Sequence, residues 1–469
     1  MDKKEKISFF NSEAQKRDYW IRKNSYYYKD LYELMNFIIP KGSSVLEIGC
    51  GTGELLKKVE PKRGVGIDFS EEMIKIAKNK YPDLSFITMD AENLDLNEKF
   101  DYIILSDLIG HLEDIQSTFE NLRKVCHSRT KIIITYYNFL WEPILKLGEK
   151  FKLKAKQYYQ NWLSYMDIEN LLKISDFEPI RIGVRLLLPI FIPLISTFLN
   201  KYISKFPFFR SLCLVNYIIA RIAPDKQIEN YSCSVIVPAR NESGNIEKAV
   251  LEIPMMGRST EIIFIEGWSK DNTLQEIQRV CEKYKELRLL KWAVQDGIGK
   301  KDAVQKGFDI ATGDILMILD ADLTVSPKDL IKFYNALASG KGEFINGSRM
   351  VYPMEKEAMR FLNMIGNKFF SLLFSWILGT NCKDTLCGTK AIFKSDYEKI
   401  KQNRNYFGDF DPFGDFDLIF GAYKQNLKMV EIPVHYKRRT YGSSNIHRWK
   451  HGFLLLKMSL FAMRKIKFI

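Results

Sequence analysis

The chain has 469 residues, 46 % apolar and 27 % charged, which excludes wholesale disorder and allows two to four domains at roughly 100–200 residues each. Lys and Arg outnumber Asp and Glu by 70 to 57, a net charge of +13. That excess points to an anionic partner: nucleic acid, a phosphate-bearing substrate or an anionic membrane. Seven cysteines, odd in number and scattered without a CxxC, indicate neither a disulfide framework nor a zinc knuckle and fit a reduced, cytoplasmic setting.

In chain order, MDKKEKISFFNSEAQKRDYW lacks an apolar core segment and reads as no signal peptide. The first forty residues look helical and aromatic, with Tyr26, Tyr27 and Tyr28 in a row. Strand and helix signals then alternate. SSVLEIGCG, GVGIDFS, DLSFITMD, DYIILSDL and KIIITYYN read as strands, with GELLKKVE and EEMIKIAKNKY as helices, the pattern of a doubly wound sheet. The pattern loosens through 140–180. LLLPIFIPLISTFLN, 186–200, is uncharged but too short to cross a membrane and carries Pro189 and Pro193. It is expected to be a buried strand followed by a packing helix, with a membrane-inserted element as the alternative.

A hinge near 224–230 places a first domain at 1–224 and a second at 230–469. SCSVIVPAR, TEIIFIEG, GDILMILDAD and EFINGSRM read as strands of a second α/β domain. Residues 432–469 hold nine Lys or Arg and no Asp or Glu. Their last segment, WKHGFLLLKMSLFAMRKIKFI, spaces apolar residues helically among Lys450, Lys457, Arg464, Lys465 and Lys467, as an amphipathic helix in a membrane interface does; a packed surface helix is the alternative. No transmembrane span and no internal repeat is visible.

In the first half, VLEIGCGTGELL sets Gly49, Gly51 and Gly53 between a strand and a helix, where glycine lets backbone approach a cofactor closely. The spacing G-x-G-x-G differs from the dinucleotide fingerprint G-x-G-x-x-G. Glu47 precedes it, Asp68 ends the next strand and Asp90 the one after. Asp68 is placed to accept from ribose hydroxyls and Asp90 from an adenine amine; each is also a natural turn cap. The segment resembles the class I S-adenosylmethionine-dependent methyltransferases. The resemblance covers about 10–224 and implies that Glu47, the three glycines, Asp68 and Asp90 bind the cofactor. LSDLIGHLED, 105–114, resembles the loop facing the methyl group, where His111 is a candidate general base or an orienting histidine.

In the second half, SVIVPARNESGNI runs a strand into Pro238, Ala239 and Glu242, and IFIEGWSKDNT places Glu266 and Asp271 after another. Lys300 opens a helix able to face a diphosphate. Asp320 and Asp322 bracket Ala321 where an apolar strand stops. Two carboxylates there are costly unless a cation binds them, and a hard divalent ion bridging a donor diphosphate is the natural one. This half resembles the inverting GT-A glycosyltransferases, and within them the polyprenyl-phosphate sugar transferases, over about 230–450. The resemblance implies that Pro238, Ala239, Glu242 and Asp271 hold the nucleotide and Lys300 the diphosphate. It places Mg²⁺ or Mn²⁺ on Asp322, with Asp320 on ribose or metal. Glu266 departs from the usual Asp of the second motif. Arg349, Lys390 and Arg439 would cradle the acceptor and donor phosphates. Of the acidic cluster Asp409, Asp411, Asp415 and Asp417, Asp417 aligns with an acidic residue near the acceptor, and Asp415 is the candidate base if the acceptor is a hydroxyl.

The expected fold is therefore α/β in two domains: a Rossmann-like methyltransferase sheet, then a GT-A nucleotide-sugar-binding domain with a C-terminal amphipathic helix. The expected function is sugar transfer from a nucleotide-sugar donor to a polyprenyl phosphate, with methyl transfer from S-adenosylmethionine by the first domain. The chain is expected to be peripheral on the cytoplasmic face of an anionic membrane. Nucleic acid is not an expected partner, since no recognised module is present. The alternative is a transferase acting on a glycan or glycolipid hydroxyl, its first domain a non-catalytic binding module.

Overall fold

The run SVLEI forms the strand Ser44–Ile48 (β1), with Val45, Leu46, Glu47 and Ile48 all buried, as a parallel strand covered on both faces requires. The computed structural model describes residues 3–158, 160–224, 230–349, 351, 361–380, 382–404, 415–439, 441 and 448–468. The chain divides into two units, Met1–Ala223 with Phe468–Ile469, and Pro224–Lys467.

Around β1 the first unit adds Arg63–Asp68 (β2), Ser85–Thr88 (β3), Phe100–Ser106 (β4), Cys126–Tyr137 (β5), Phe177–Arg185 (β6) and Val215–Ile222 (β7). Their order is β3-β2-β1-β4-β5-β7-β6. The first five strands run parallel, and β7 lies antiparallel between β5 and β6. Alternate side chains feed two cores. Leu46, Ile103 and Ile132 pack with Phe119 on one face, and Val45, Ile104 and Ile133 pack with Met35 on the other. The helix Ser25–Ile38 covers the second face because Tyr27, Leu31, Leu34, Met35 and Ile38 recur at helical spacing. Strand order reverses between β1 and β4, which opens a crevice at their C-terminal ends.

The expectation for 186–200 is corrected. β6 ends at Arg185 and no strand forms within 186–200; Ile190, Phe191 and Leu194 are exposed ahead of the helix Ile195–Lys201, which does form. An uncharged run satisfies the pattern of a buried strand whether or not anything covers it.

The second unit holds Ser232–Ala239 (β8), Ser259–Glu266 (β9), Leu289–Val294 (β10), Ile315–Ile318 (β11), Phe344–Ser348 (β12), Lys390–Phe393 (β13) and Met429–Pro433 (β14), ordered β10-β9-β8-β11-β13-β12-β14. Strands β8 to β11 are parallel, and β13 runs antiparallel to both β11 and β12. Here the order reverses between β8 and β11. The C-terminal segment forms the helix Arg448–Ala462. Leu455 and Met458 are buried while Phe453 and Leu460 are exposed, so it is apolar on more than one side. No helix among the described residues is long and apolar enough to cross a membrane.

Phe264 of β9 is fully buried in the second core. Phe264→Ala is expected to cost about 3–5 kcal/mol, from lost burial and the cavity left behind; denaturant unfolding measures it.

Candidate cofactor and donor sites

In the first unit the turn after β1 needs glycine three times over. Gly49, Gly51 and Gly53 all have positive φ (72°, 52° and 79°), which L side chains rarely adopt. A Cβ on Gly53 would also lie 2.5 Å from Phe86 Cζ. This turn is fastened to β2 by Asp68, whose Oδ2 accepts from Gly51 N at 2.9 Å and whose Oδ1 accepts from Ser70 N at 2.9 Å. Glu47 is buried, and among the described residues its Oε2 has no hydrogen-bond partner. Desolvation raises the pKa of both carboxyls, that of Glu47 to about 8.

Asp107, at the end of β4, completes a row of strand-end acids. Its backbone takes φ 52°. Its carboxylate accepts from Tyr27 Oη and, at 3.1 Å, from Thr135 Oγ1. Desolvation raises its pKa too, against these hydrogen bonds and the charge of Arg17. Arg17 lies over the Tyr28 ring at 5.6 Å, and its Nε is 3.7 Å from where a Gly51 Cβ would stand. A small, partly open pocket is lined by Asp107, Ile109, Gly110, Tyr136, Tyr137 and Gln160, among others. Arg17 is invisible in a motif search because it comes from the N-terminal helices. Asp107 carried a signal, an acid at a strand end in step with Glu47 and Asp68.

The N-terminal helices also reach the remaining candidates. Asp90 caps the short turn Ala91–Asn93 through Glu92 N at 3.1 Å and pairs with Lys3. Despite desolvation, Lys3 and the turn hold its pKa below the usual carboxylate range. His111 meets the edge of the Phe10 ring at 5.8 Å, and its carbonyl accepts from Lys6. Phe10 also packs on Phe69 at 5.3 Å, and Asn11 Oδ1 accepts from Ser70 Oγ at 2.6 Å.

In the second unit, Pro238 and Ala239 end β8 and Glu242 follows, buried. Desolvation raises the pKa of Glu242 against the charge of Arg439. Glu266 folds back on its own turn, accepting from Ser269 N at 2.6 Å and Trp268 N at 3.1 Å. Asp271 accepts from Thr273 N at 3.0 Å and from Tyr441 Oη at 3.4 Å.

At the mouth of β11 the cations converge. Asp320 Oδ1 meets Lys300 Nζ at 2.6 Å. Desolvation works against its charge, but Lys300 first, then Lys390 and Arg349, outweigh it and hold its pKa below the ordinary range. Asp322 Oδ2 accepts from Arg439 Nη2 at 2.6 Å, while Arg439 Nη1 stands 3.4 Å from Glu242 Oε1. Lys390, buried on β13, donates to Cys387 O. Arg349 forms a bidentate pair with buried Asp384 at 2.7 and 2.8 Å and lies over the Tyr436 ring. Gly388 makes the cluster possible: a Cβ there would fall 2.1 Å from Asp320 Oδ2 and 2.3 Å from Lys300 Nζ. It stands inside the quoted run DTLCGTKAI, yet only the fold shows what it faces.

Asp417 is held by Arg404 at 2.9 Å, whose other nitrogen reaches Tyr397 Oη at 3.0 Å. Asp415 opens the helix Asp415–Lys424, but its side chain lies outside the described residues, as do Asp409 and Asp411.

Both units thus gather polar side chains in the crevice where strand order reverses, the design of nucleotide-dependent α/β transferases. Residues 39–180 match the family model of a methyltransferase domain, and residues 234–401 match that of glycosyl transferase family 2. The chain joins a methyltransferase domain to a family 2 glycosyltransferase domain. It is 32 % identical over 180 residues to an uncharacterized protein of Methanocaldococcus jannaschii, covering 37 % of this chain and 83 % of that one. A dolichol-phosphate mannosyltransferase of Pyrococcus furiosus is 29 % identical over 217 residues, 45 % of this chain and 58 % of the relative. A dolichyl-phosphate beta-glucosyltransferase of Saccharomyces cerevisiae is 26 % identical over 231 residues, 44 % and 67 %.

The raised pKa of Glu47 sets a pH dependence. A carboxyl whose native pKa exceeds its unfolded value holds an extra proton in the folded state between the two, so stability falls as pH rises through that window. The cofactor-free protein is expected to lose on the order of 4 kcal/mol at most between about pH 5 and pH 8. Glu47→Gln flattens that slope in melting curves taken across the range; an unchanged slope refutes the assignment.

Proposed function

We propose that the second unit transfers a sugar from a nucleotide-sugar to a polyprenyl phosphate with inversion. The first unit transfers a methyl group from S-adenosylmethionine to a second acceptor. Both act from the cytoplasmic face of a membrane, to which the chain binds peripherally. The observation that carries the sugar-transfer reading is the aspartate pair at the mouth of β11, set among Lys300, Lys390, Arg349 and Arg439. The names of the relatives support a polyprenyl acceptor.

The donor set suits a divalent ion: Asp320 and Asp322 offer hard carboxylate oxygens, now satisfied by Lys300 and Arg439. A magnesium or manganese ion held there would neutralise charge growing on the leaving diphosphate. Pro238, Ala239, Glu242, Glu266 and Asp271 line the side of the cleft assigned to the nucleotide. Lys300 stabilises the diphosphate as the anomeric C–O bond breaks. Arg439 and Lys390 add positive charge for the acceptor phosphate, with Arg349 positioned by Asp384. The phosphate oxygen is already ionised near neutral pH, so it attacks the anomeric carbon from the opposite face without a base. Asp417, tied to Arg404, positions its helix in this reading.

The first crevice fits S-adenosylmethionine by its glycine turn and by the unpaired buried Glu47 Oε2. The cofactor supplies an activated methyl group on a sulfonium. Asp68 accepts from the ribose hydroxyls and Asp90 from the adenine amine. Asp107 or His111 takes the acceptor's proton.

Asp322→Asn is expected to lower sugar transfer to polyprenyl phosphate at least about 100-fold, as EDTA does. Mass spectrometry of products from a panel of nucleotide-sugars reads this out. Transfer that survives both treatments overturns the reading. A comparable loss in Asp415→Asn would instead mark a base and a hydroxyl acceptor. Separately, Asp68→Ala is expected to weaken S-adenosylmethionine binding about 100-fold in calorimetry, through two charge-assisted hydrogen bonds. A parent protein that binds none at millimolar cofactor removes the methyl-transfer claim.

A further inference from the structure

The connection between β6 and β7, residues 186–214, contains no Asp or Glu. Its ends are buried at Leu186, Cys213 and Leu214, but between them most of its apolar side chains face outward. Leu194 is 86 % exposed and Phe208 74 %, and Ile190, Phe191, Ile195 and Phe198 are exposed beside them. Scattered exposed apolar residues are ordinary, but a run of this density on one insert marks an interaction surface.

The insert is also hydrogen-bonded to itself. Ser196 Oγ donates to Ile190 O at 2.6 Å and accepts from Ile192 N at 2.8 Å. Asn200 donates to Leu188 O at 2.7 Å and accepts from Leu188 N at 2.8 Å. A tip tied in this way can leave water without stranding those backbone groups, which is what a lipid interface demands and a polar protein partner does not.

The surface extends to a neighbouring helix. Asn138 donates to Ser211 O at 2.8 Å and Trp141 to Leu212 O at 2.9 Å. These bonds tie the insert to the start of Glu142–Lys150, where Ile144 and Leu147 are exposed, with Phe151 just beyond. Across 139–154 and 186–214 there are seven Lys or Arg against two Glu. Apolar side chains interleaved with an excess of cations are the chemistry of an anionic bilayer surface. The insert leads into β7, whose Val215 pairs with Tyr137 at the C-terminal end of β5. That end of the sheet opens the cofactor crevice.

We propose that residues 186–214, with the helix Glu142–Lys150, dock the first unit on an anionic lipid bilayer. The proposal stands on this surface alone and does not rest on the acceptor of either transferase. The test uses the full chain with vesicles of phosphatidylcholine alone or with a quarter phosphatidylglycerol, read by co-sedimentation. The parent is expected to bind the anionic vesicles, less at high salt and less to the neutral ones. The triple variant Leu194→Asp, Phe198→Asp, Phe208→Asp is expected to bind about 100-fold more weakly. Its melting temperature and S-adenosylmethionine binding stay as in the parent, since all three side chains face solvent. Binding by the variant equal to the parent's, or parental binding blind to headgroup charge, overturns the proposal. So does a drop in the lipid-free sedimentation mass of the variant, which would show a second copy of the chain to be the occupant.

Discussion

A parallel sheet covered on both faces leaves chemistry only at its edges, and every acid at the C-terminal edge must then be neutralised locally. A carboxylate withdrawn from water without a partner costs several kcal/mol or gives up its charge. Both units meet this constraint, and Asp320 and the deepest acids of the first crevice meet it in opposite ways. Asp320 is held ionised by Lys300, with Lys390 and Arg349 behind it. Glu47, Asp68 and Asp107 have backbone N–H groups, hydroxyls and the charge of Arg17, with Lys154 also acting on Asp107, yet desolvation prevails and their pKa values rise.

The difference sorts the ligands. Acids whose pKa is raised by burial are stabilised when a positive group arrives, and a sulfonium is one. In the second crevice Lys300, Lys390, Arg349 and Arg439 stand among Asp320, Asp322, Asp384 and Glu242, so most of these acids are already paired in place. Gly388 enforces that arrangement by staying out of the way: any side chain there would part Lys300 from Asp320. Arg439 plays a double part, since it occupies Asp322 and Glu242 in the same crevice. A divalent ion held by Asp322 would compete with this guanidinium for the same carboxylate.

What the sequence made legible is local. Glycines, strand-end acids and the Asp320–Asp322 pair sit within a few residues of the strands that carry them, and the alternation of strand and helix gave both sheets. Partnerships across long separations were not legible. Arg17 with Gly51 and Asp107, and Arg439 with Asp322, depend on which helix or loop folds back over the crevice. Strands β6, β7, β10, β13 and β14 also went unread. β13 has only four residues, and β7 runs against both its neighbours instead of in parallel with them. The run 186–200 misled for a different reason. Apolar composition records what a segment avoids, not what covers it, and the internal ties of Ser196 and Asn200 appear only once the chain is folded.

Exposed apolar side chains are not confined to the first unit. Phe369 and Leu372 on the helix Phe361–Leu378, and Phe453 and Leu460 on Arg448–Ala462, are more than half exposed in the second. The charge excess of the last 38 residues falls on the same stretch as two of them. If each unit meets a bilayer by its own apolar and cationic surface, joining them in one chain has a physical consequence that requires no contact between them. Two weak attachments to one surface bind far more tightly than either alone, because the second engages at the high effective concentration set by the first. A membrane-borne intermediate released by one site then diffuses in two dimensions within reach of the other. On that view the fusion holds two chemistries to a common surface, and the sites need no shared pocket.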